Sequence, residues 1–161
     1  MARRRQSKQK LISLPMQQLK IKETYSNIEN CTVRRNKLQC VLRIKPSEHS
    51  QTYRVQVLYE LKKRPKALLL SPPLKEVNGK RPHHLHEKDN FGYPSLCVYF
   101  DEFDVAGCTD FLADTFIPWI STWLHAYEYW IITGEWHYPE YLSPASESSV
   151  NDGVEGCKDE I

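Results

Sequence analysis

The chain has 161 residues, of which 40% are apolar and 26% charged, with a formal net charge of +2. That size and balance suit one globular domain with a real core and argue against a fibrous or fully disordered chain. Nowhere does an apolar run approach the ~18 residues needed to span a bilayer, so no membrane role is expected.

The small net charge hides a polarised chain. Residues 1–81 hold 20 Lys and Arg against 5 Asp and Glu, whereas residues 82–161 hold 2 against 15. A domain folded from both halves is expected to have a basic and an acidic side, which can steer a charged partner or neutralise each other. Arg3, Arg4 and Arg5 are not followed by the apolar stretch of a signal peptide, so a cytoplasmic location is expected. The five cysteines, Cys31, Cys40, Cys97, Cys108 and Cys157, are odd in number and irregular in spacing, so reduced thiols are the expectation.

In chain order, residues 1–10 are basic, lack apolar periodicity and read as a flexible tail. Leu11, Leu14, Leu19 and Ile21 suggest a short helix within 11–25, with Pro15 as its first-turn residue or its break. Leu38, Cys40, Leu42 and Ile44 alternate with polar residues, and Pro46-Ser47-Glu48 ends that strand. Tyr53, Val55, Val57, Tyr59 and Leu61 make a second strand with a basic outer face. Cys31-Thr32-Val33 either starts the first strand or precedes it. Ala67 to Leu70 reads as a third strand stopped by Pro72-Pro73. Both longer runs suit an antiparallel sheet covered on one side.

Residues 75–94, with Asn78-Gly79, Pro82, Asn90, Gly92 and Pro94, read as a long loop. A loop of that length inside a small domain is usually functional. Cys97 ends it, inside the apolar piece Leu96 to Phe100. Pro118 then opens a helix whose stripe is Ile120, Trp123, Leu124, Tyr127 and Ile131, and Thr133-Gly134 closes it. Residues 143–161 are rich in Ser, Gly and acidic residues and read as an acidic disordered tail, leaving 11–142 as the folded unit. The order is α+β: helix, antiparallel meander, loop with cysteine, helix.

Cys97 is the candidate nucleophile. Acyl transfer through a thioester needs an accessible thiol and a share of thiolate, and an ordinary cysteine of pKa ~8.5 is only a few per cent thiolate at pH 7. His84 and His86 are the candidate bases. With Asn90 they are also the candidate donors to a developing oxyanion, a contribution of roughly 3 kcal/mol per donor in hydrolases. The competing reading of Cys97 is a small buried core residue. Zinc is a rival, because His83, His84, His86, Cys97 and Cys108 lie close in sequence, yet no C-x-x-C pair exists. Ten residues separate Cys97 from Cys108, which argues against a redox couple. The basic tail has no interleaved aromatics, so nucleic-acid binding is not expected. The Trp and Tyr stripe reads as core, with Trp136 and Tyr138 left as a possible exposed aromatic contact surface.

His84 or His86, Leu96-Cys97-Val98-Tyr99, Ile117-Pro118-Trp119, Trp123-Leu124, Tyr127-Glu128-x-Trp130 and Thr133-Gly134-x-Trp136 together resemble the ubiquitin-conjugating enzyme fold. They are most similar to its bacterial branch in CBASS anti-phage operons, which accompanies a cGAS/DncV-like nucleotidyltransferase. The match covers about a third of the chain. It implies a UBC-like fold and a stand-alone acyl carrier. In that reading Cys97 takes the C-terminus of a partner, the nucleotidyltransferase, as a thioester and passes it to an amine, regulating anti-phage signalling. A histidine of the preceding loop would assist. No cofactor is implied. The His-Pro-Asn triplet of the eukaryotic enzymes is absent, and Pro82-His83-His84-Leu85-His86 takes its place. Loading is expected from a separate activating enzyme or without one. The alternative is a catalytically inactive module of the same fold that docks the nucleotidyltransferase.

Overall fold

The computed structural model describes residues 10–86, 92–98 and 109–137. Helix α1 (Leu14–Thr24) begins where Ser13 adopts an extended conformation and its Oγ accepts from the Met16 N–H at 3.4 Å; Pro15 sits in the first turn, where a missing N–H costs nothing. Leu14, Gln17 and Ile21 form its buried face, while Leu11 and Leu19 are exposed. The stripe expected from sequence thus holds only in part, with a glutamine in place of a leucine. Gln17 is 0% exposed because both ends of its amide are used. Nε2 donates to the Asp110 carbonyl and Oε1 accepts from the Leu112 N–H, each at 2.9 Å.

Strands β1 (Ile28–Arg34), β2 (Lys37–Ile44), β3 (Tyr53–Glu60) and β4 (Lys66–Ser71) form an antiparallel meander. Arg35 and Asn36 both have positive φ, 48° and 59°, which suits the two-residue β1–β2 turn. The alternation expected for β2 and β3 is present. Leu38, Cys40, Leu42 and Ile44, and Tyr53, Val55, Val57 and Tyr59, point into one core. Cys31-Thr32-Val33 belongs to a strand of its own, β1.

The region 75–94 is not loop alone. It contributes β5 (Leu85–His86), which pairs with β6 (Ser95–Leu96), and β6 pairs with β4, so the sheet order is β1-β2-β3-β4-β6-β5. Helix α2 (Phe116–Thr133) ends at Gly134, which has φ 76° and whose N–H donates to the Trp130 carbonyl at 2.8 Å. Its Ile120, Trp123, Leu124 and Tyr127 join the same core cluster as Leu14 and Ile21 of α1. Both helices therefore cover one face of the sheet. Each large side chain buried there contributes roughly 1.5–3 kcal/mol of hydrophobic stabilisation.

Polar ties fix α2 against the sheet. The Ser50 Oγ and Tyr53 hydroxyl donate to the Glu128 carboxylate at 2.6 and 2.9 Å, and the Lys75 N–H donates to the Tyr127 hydroxyl at 2.8 Å. Cys31 and Cys40 stand opposite one another in the β1–β2 register and are joined by a disulfide. This differs from the reduced thiols expected from spacing, because register rather than spacing brings them together. Among the described residues no helix is long and apolar enough to cross a membrane. Residues 1–9 and 143–161, the expected tails, lie outside the described residues.

Candidate functional site

The β5–β6 hairpin places the candidate residues. Leu85 faces Leu96 and His86 faces Ser95. One step further along the same register, the Cys97 N–H donates to the His84 carbonyl at 2.9 Å. The Trp123 indole N–H donates to that same oxygen at 3.0 Å. One carbonyl thus ties the cysteine, the histidine turn and α2 together. His84 has φ 56°, an uncommon conformation for a non-glycine residue, and this ends the extended run of the hairpin.

The aromatics after α2 close over this turn. Trp136 packs 5.5 Å from the His84 ring and 5.2 Å from Trp123, and His83 meets Trp130 edge-on at 6.3 Å. Trp136 is half-buried by these contacts, not the exposed aromatic end anticipated from sequence. His84 keeps an exposed surface, but desolvation of its ring, with a smaller contribution from neighbouring His83, lowers its pKa below the usual histidine value. Its neutral imidazole is therefore favoured, and a neutral imidazole can accept a proton.

Leu96 and Val98 belong to the core cluster, whereas Ser95 and Cys97 are buried without belonging to it. The strand alternation accounts for this, since it turns Ser95 and Cys97 to the sheet face opposite the helices. Cys97 is only 3% exposed, and it is disulfide-bonded. That differs from the open, reduced thiol that the sequence suggested; Cys108, the other member of the redox couple considered there, lies outside the described residues. His86 is half-buried in β5, and Asn90 lies outside the described residues.

Two surface cavities lie elsewhere. One, of about 610 Å³, sits between Tyr25, Arg43, Lys45, Pro118 and His125, and the other, of about 340 Å³, between Leu69, Pro73, Arg81 and Tyr93. Neither includes Cys97 or His84. Among the described residues no cluster of three or more His, Cys, Asp or Glu is placed to hold a metal. Trp123 and Trp136, which hold the histidine turn, were read from sequence as core and as contact surface. Their indole spacing gave no sign of a carbonyl partner 39 residues upstream.

An antiparallel sheet covered on one face by an N-terminal and a C-terminal helix, with Cys97 and the histidine turn paired near one edge, defines an α+β protein. A family model described as the Type II CBASS E2 protein matches residues 17–144. The chain belongs to that family, which points to an E2-like role in CBASS. No curated protein matches the chain.

Proposed function

We propose that the protein is a stand-alone acyl carrier of ubiquitin-conjugating type, with Cys97 as nucleophile and His84 as proton acceptor. What supports the reading is the shared His84 carbonyl, which accepts from both the Cys97 N–H and the Trp123 indole and so ties Cys97, the histidine turn and α2 into one hydrogen-bonded unit. The chemistry begins from the reduced protein. A cellular dithiol supplies the two electrons and two protons that open the Cys97 disulfide. The thiolate then attacks an activated acyl carbon at the C-terminus of a partner, the nucleotidyltransferase, and the leaving group departs with its bonding pair. An amine next attacks the thioester carbonyl, the C–S bond breaks, and the thiolate is regenerated. The amine's surplus proton passes to the neutral His84 ring, and an amide or isopeptide bond remains. His86 and Asn90 are candidates to donate to the oxyanion.

The burial of Cys97 favours a second reading, a binding module of the same fold that docks the nucleotidyltransferase without chemistry. Co-expression with that partner, followed by intact-mass measurement, separates them. The first reading predicts an adduct that hydroxylamine removes and that Cys97→Ala abolishes. A non-covalent complex of unchanged mass supports the second.

A further inference from the structure

The charge of this sheet is concentrated at one end. The β1–β2 turn brings Arg34, Arg35 and Lys37, and the β3–β4 turn brings Lys62, Lys63 and Arg64. The register Lys37↔Glu60 sets these two turns side by side. Glu60 is the only carboxylate in residues 34–37 and 60–66, and it is taken by Lys37 at 3.0 Å and Lys63 at 2.7 Å. Arg34, Arg35 and Lys62 are exposed and make no ion pair among the described residues. The opposite end of the same strands is not like this. The β2–β3 connection, residues 45–52, carries Lys45 and Glu48, one of each sign.

The basic end is also the end that holds Cys97. In the β4–β6 register Ala67 faces Leu96 and Leu68 faces Ser95, so one further step sets Cys97 beside Lys66, the first residue after the β3–β4 turn. With strands about 4.8 Å apart, that turn lies on the order of 5–10 Å from the cysteine strand. At 0.1 M salt the Debye length is ~10 Å, so these charges act on a chain reaching Cys97.

We infer that this basic end of the sheet is the docking surface for the acyl donor, and that it recognises an acidic stretch of polypeptide just upstream of the donor's C-terminus. The inference rests on the reading of Cys97 as nucleophile. A C-terminus seated on Cys97 continues past the β3–β4 turn, and an acidic run there meets Lys62 and then Arg34 and Arg35. Nucleic acid fits less well. Residues 34–37 and 60–66 contain no Phe, Tyr or Trp on which a base could stack.

The test uses the full chain reduced with a phosphine and two synthetic peptide α-thioesters, one with five Asp and Glu upstream of its C-terminus and one with Gln and Asn there. In the reaction Cys97 sulfur bonds the peptide acyl carbon and the peptide's small thiolate leaves, so atoms balance. Intact mass gives the acylation rate, with Cys97→Ala as the blank. The expected result is about tenfold faster acylation by the acidic peptide at 50 mM salt. That advantage is lost at 500 mM salt and in the triple variant Arg34→Glu, Arg35→Glu, Lys62→Glu, which leaves the neutral peptide's rate unchanged. Equal rates for the two peptides, or equal loss of both in the variant, overturn the inference.

If neither peptide acylates Cys97, the reading of the nucleophile fails, and anisotropy of the acidic peptide as its unreactive carboxylate still tests the surface. Salt-dependent binding that the triple variant abolishes upholds it. Tighter binding of a single-stranded oligonucleotide at the same residues overturns it in favour of nucleic acid. Binding of neither, with a lower melting temperature in the variant, overturns it in favour of the chain's own acidic half.

Discussion

The backbone N–H of Cys97 and the carbonyl of His84 are hydrogen-bonded at 2.9 Å, so the candidate nucleophile and candidate base stand opposite one another on one hairpin. Trp123 adds a second donor to that oxygen from the middle of α2. Trp123 is fully buried, and Trp123→Phe removes the donor while shortening the ring. The variant is expected to lose about 1–3 kcal/mol of stability, read from the urea midpoint at unchanged slope. A shift of the midpoint by less than a quarter of that would show that the second hydrogen bond contributes little.

Gln17 gives a prediction independent of the site. Its amide satisfies the Asp110 carbonyl and the Leu112 N–H from inside the core. Gln17→Met keeps the volume and strands both groups, so about 2–4 kcal/mol of stability should be lost. Hydrogen exchange should show the Leu112 amide losing protection more than amides in β2 or β3. Uniform loss across the chain would point instead to a general packing defect.

The depressed pKa of His84 fixes a direction for pH. Its folded value lies below its unfolded value, so protonation favours the unfolded chain. Its contribution to stability is complete above the unfolded value of ~6.5 and is lost as pH falls below that toward the folded pKa. His84→Asn, which tolerates the positive φ, should flatten this part of the stability–pH curve between pH 7.5 and 5. In the reduced protein the same substitution should remove the low-pH limb of the thioester aminolysis profile, a readout that a purely structural histidine would not move.

Glu29 acts in the same sense, over a lower range of pH. Arg54 grips it through Nε and Nη2 at 2.7–3.1 Å and Arg43 adds a contact at 2.7 Å. These hydrogen bonds, Arg54 first, lower its carboxyl pKa to about 2. Its contribution is present above the unfolded carboxylate value and is lost as pH falls through the range down to about 2. Carboxyl-carbon NMR should find Glu29 still ionised at pH 3.5, and that shift should move back toward the usual glutamate range in Arg54→Gln.

The parts of this structure that a periodic pattern encodes were legible in the chain. β2 and β3 alternate cleanly, α2 carries a helical stripe, and Gly134 stops it where a left-handed residue is needed. β1 was blurred because it is an edge strand whose register shifts between Ile28 and Asn30, which breaks the period of two. β5 and β6 have two residues each and can show no period at all. Gln17 is buried by its hydrogen bonds, a reason that hydrophobicity does not record. At the site, the sequence places His84 inside the loop that Cys97 ends, but the hydrogen bond that pairs them follows from β5–β6 pairing, which strands of two residues do not announce. The burial and disulfide of Cys97 depend on which sheet face it takes, and that follows from pairing with β4 and β5, which local sequence does not specify.

The central claim is that reduced Cys97 can be reached from solvent and attack. Iodoacetamide labelling of the phosphine-reduced full chain at pH 7, with rates resolved for each cysteine by peptide mapping, tests it most directly. The account predicts that Cys97 is alkylated in the folded protein faster than Cys31 or Cys40, which lie in the β1–β2 core. Alkylation of Cys97 only after urea unfolds the chain would contradict it.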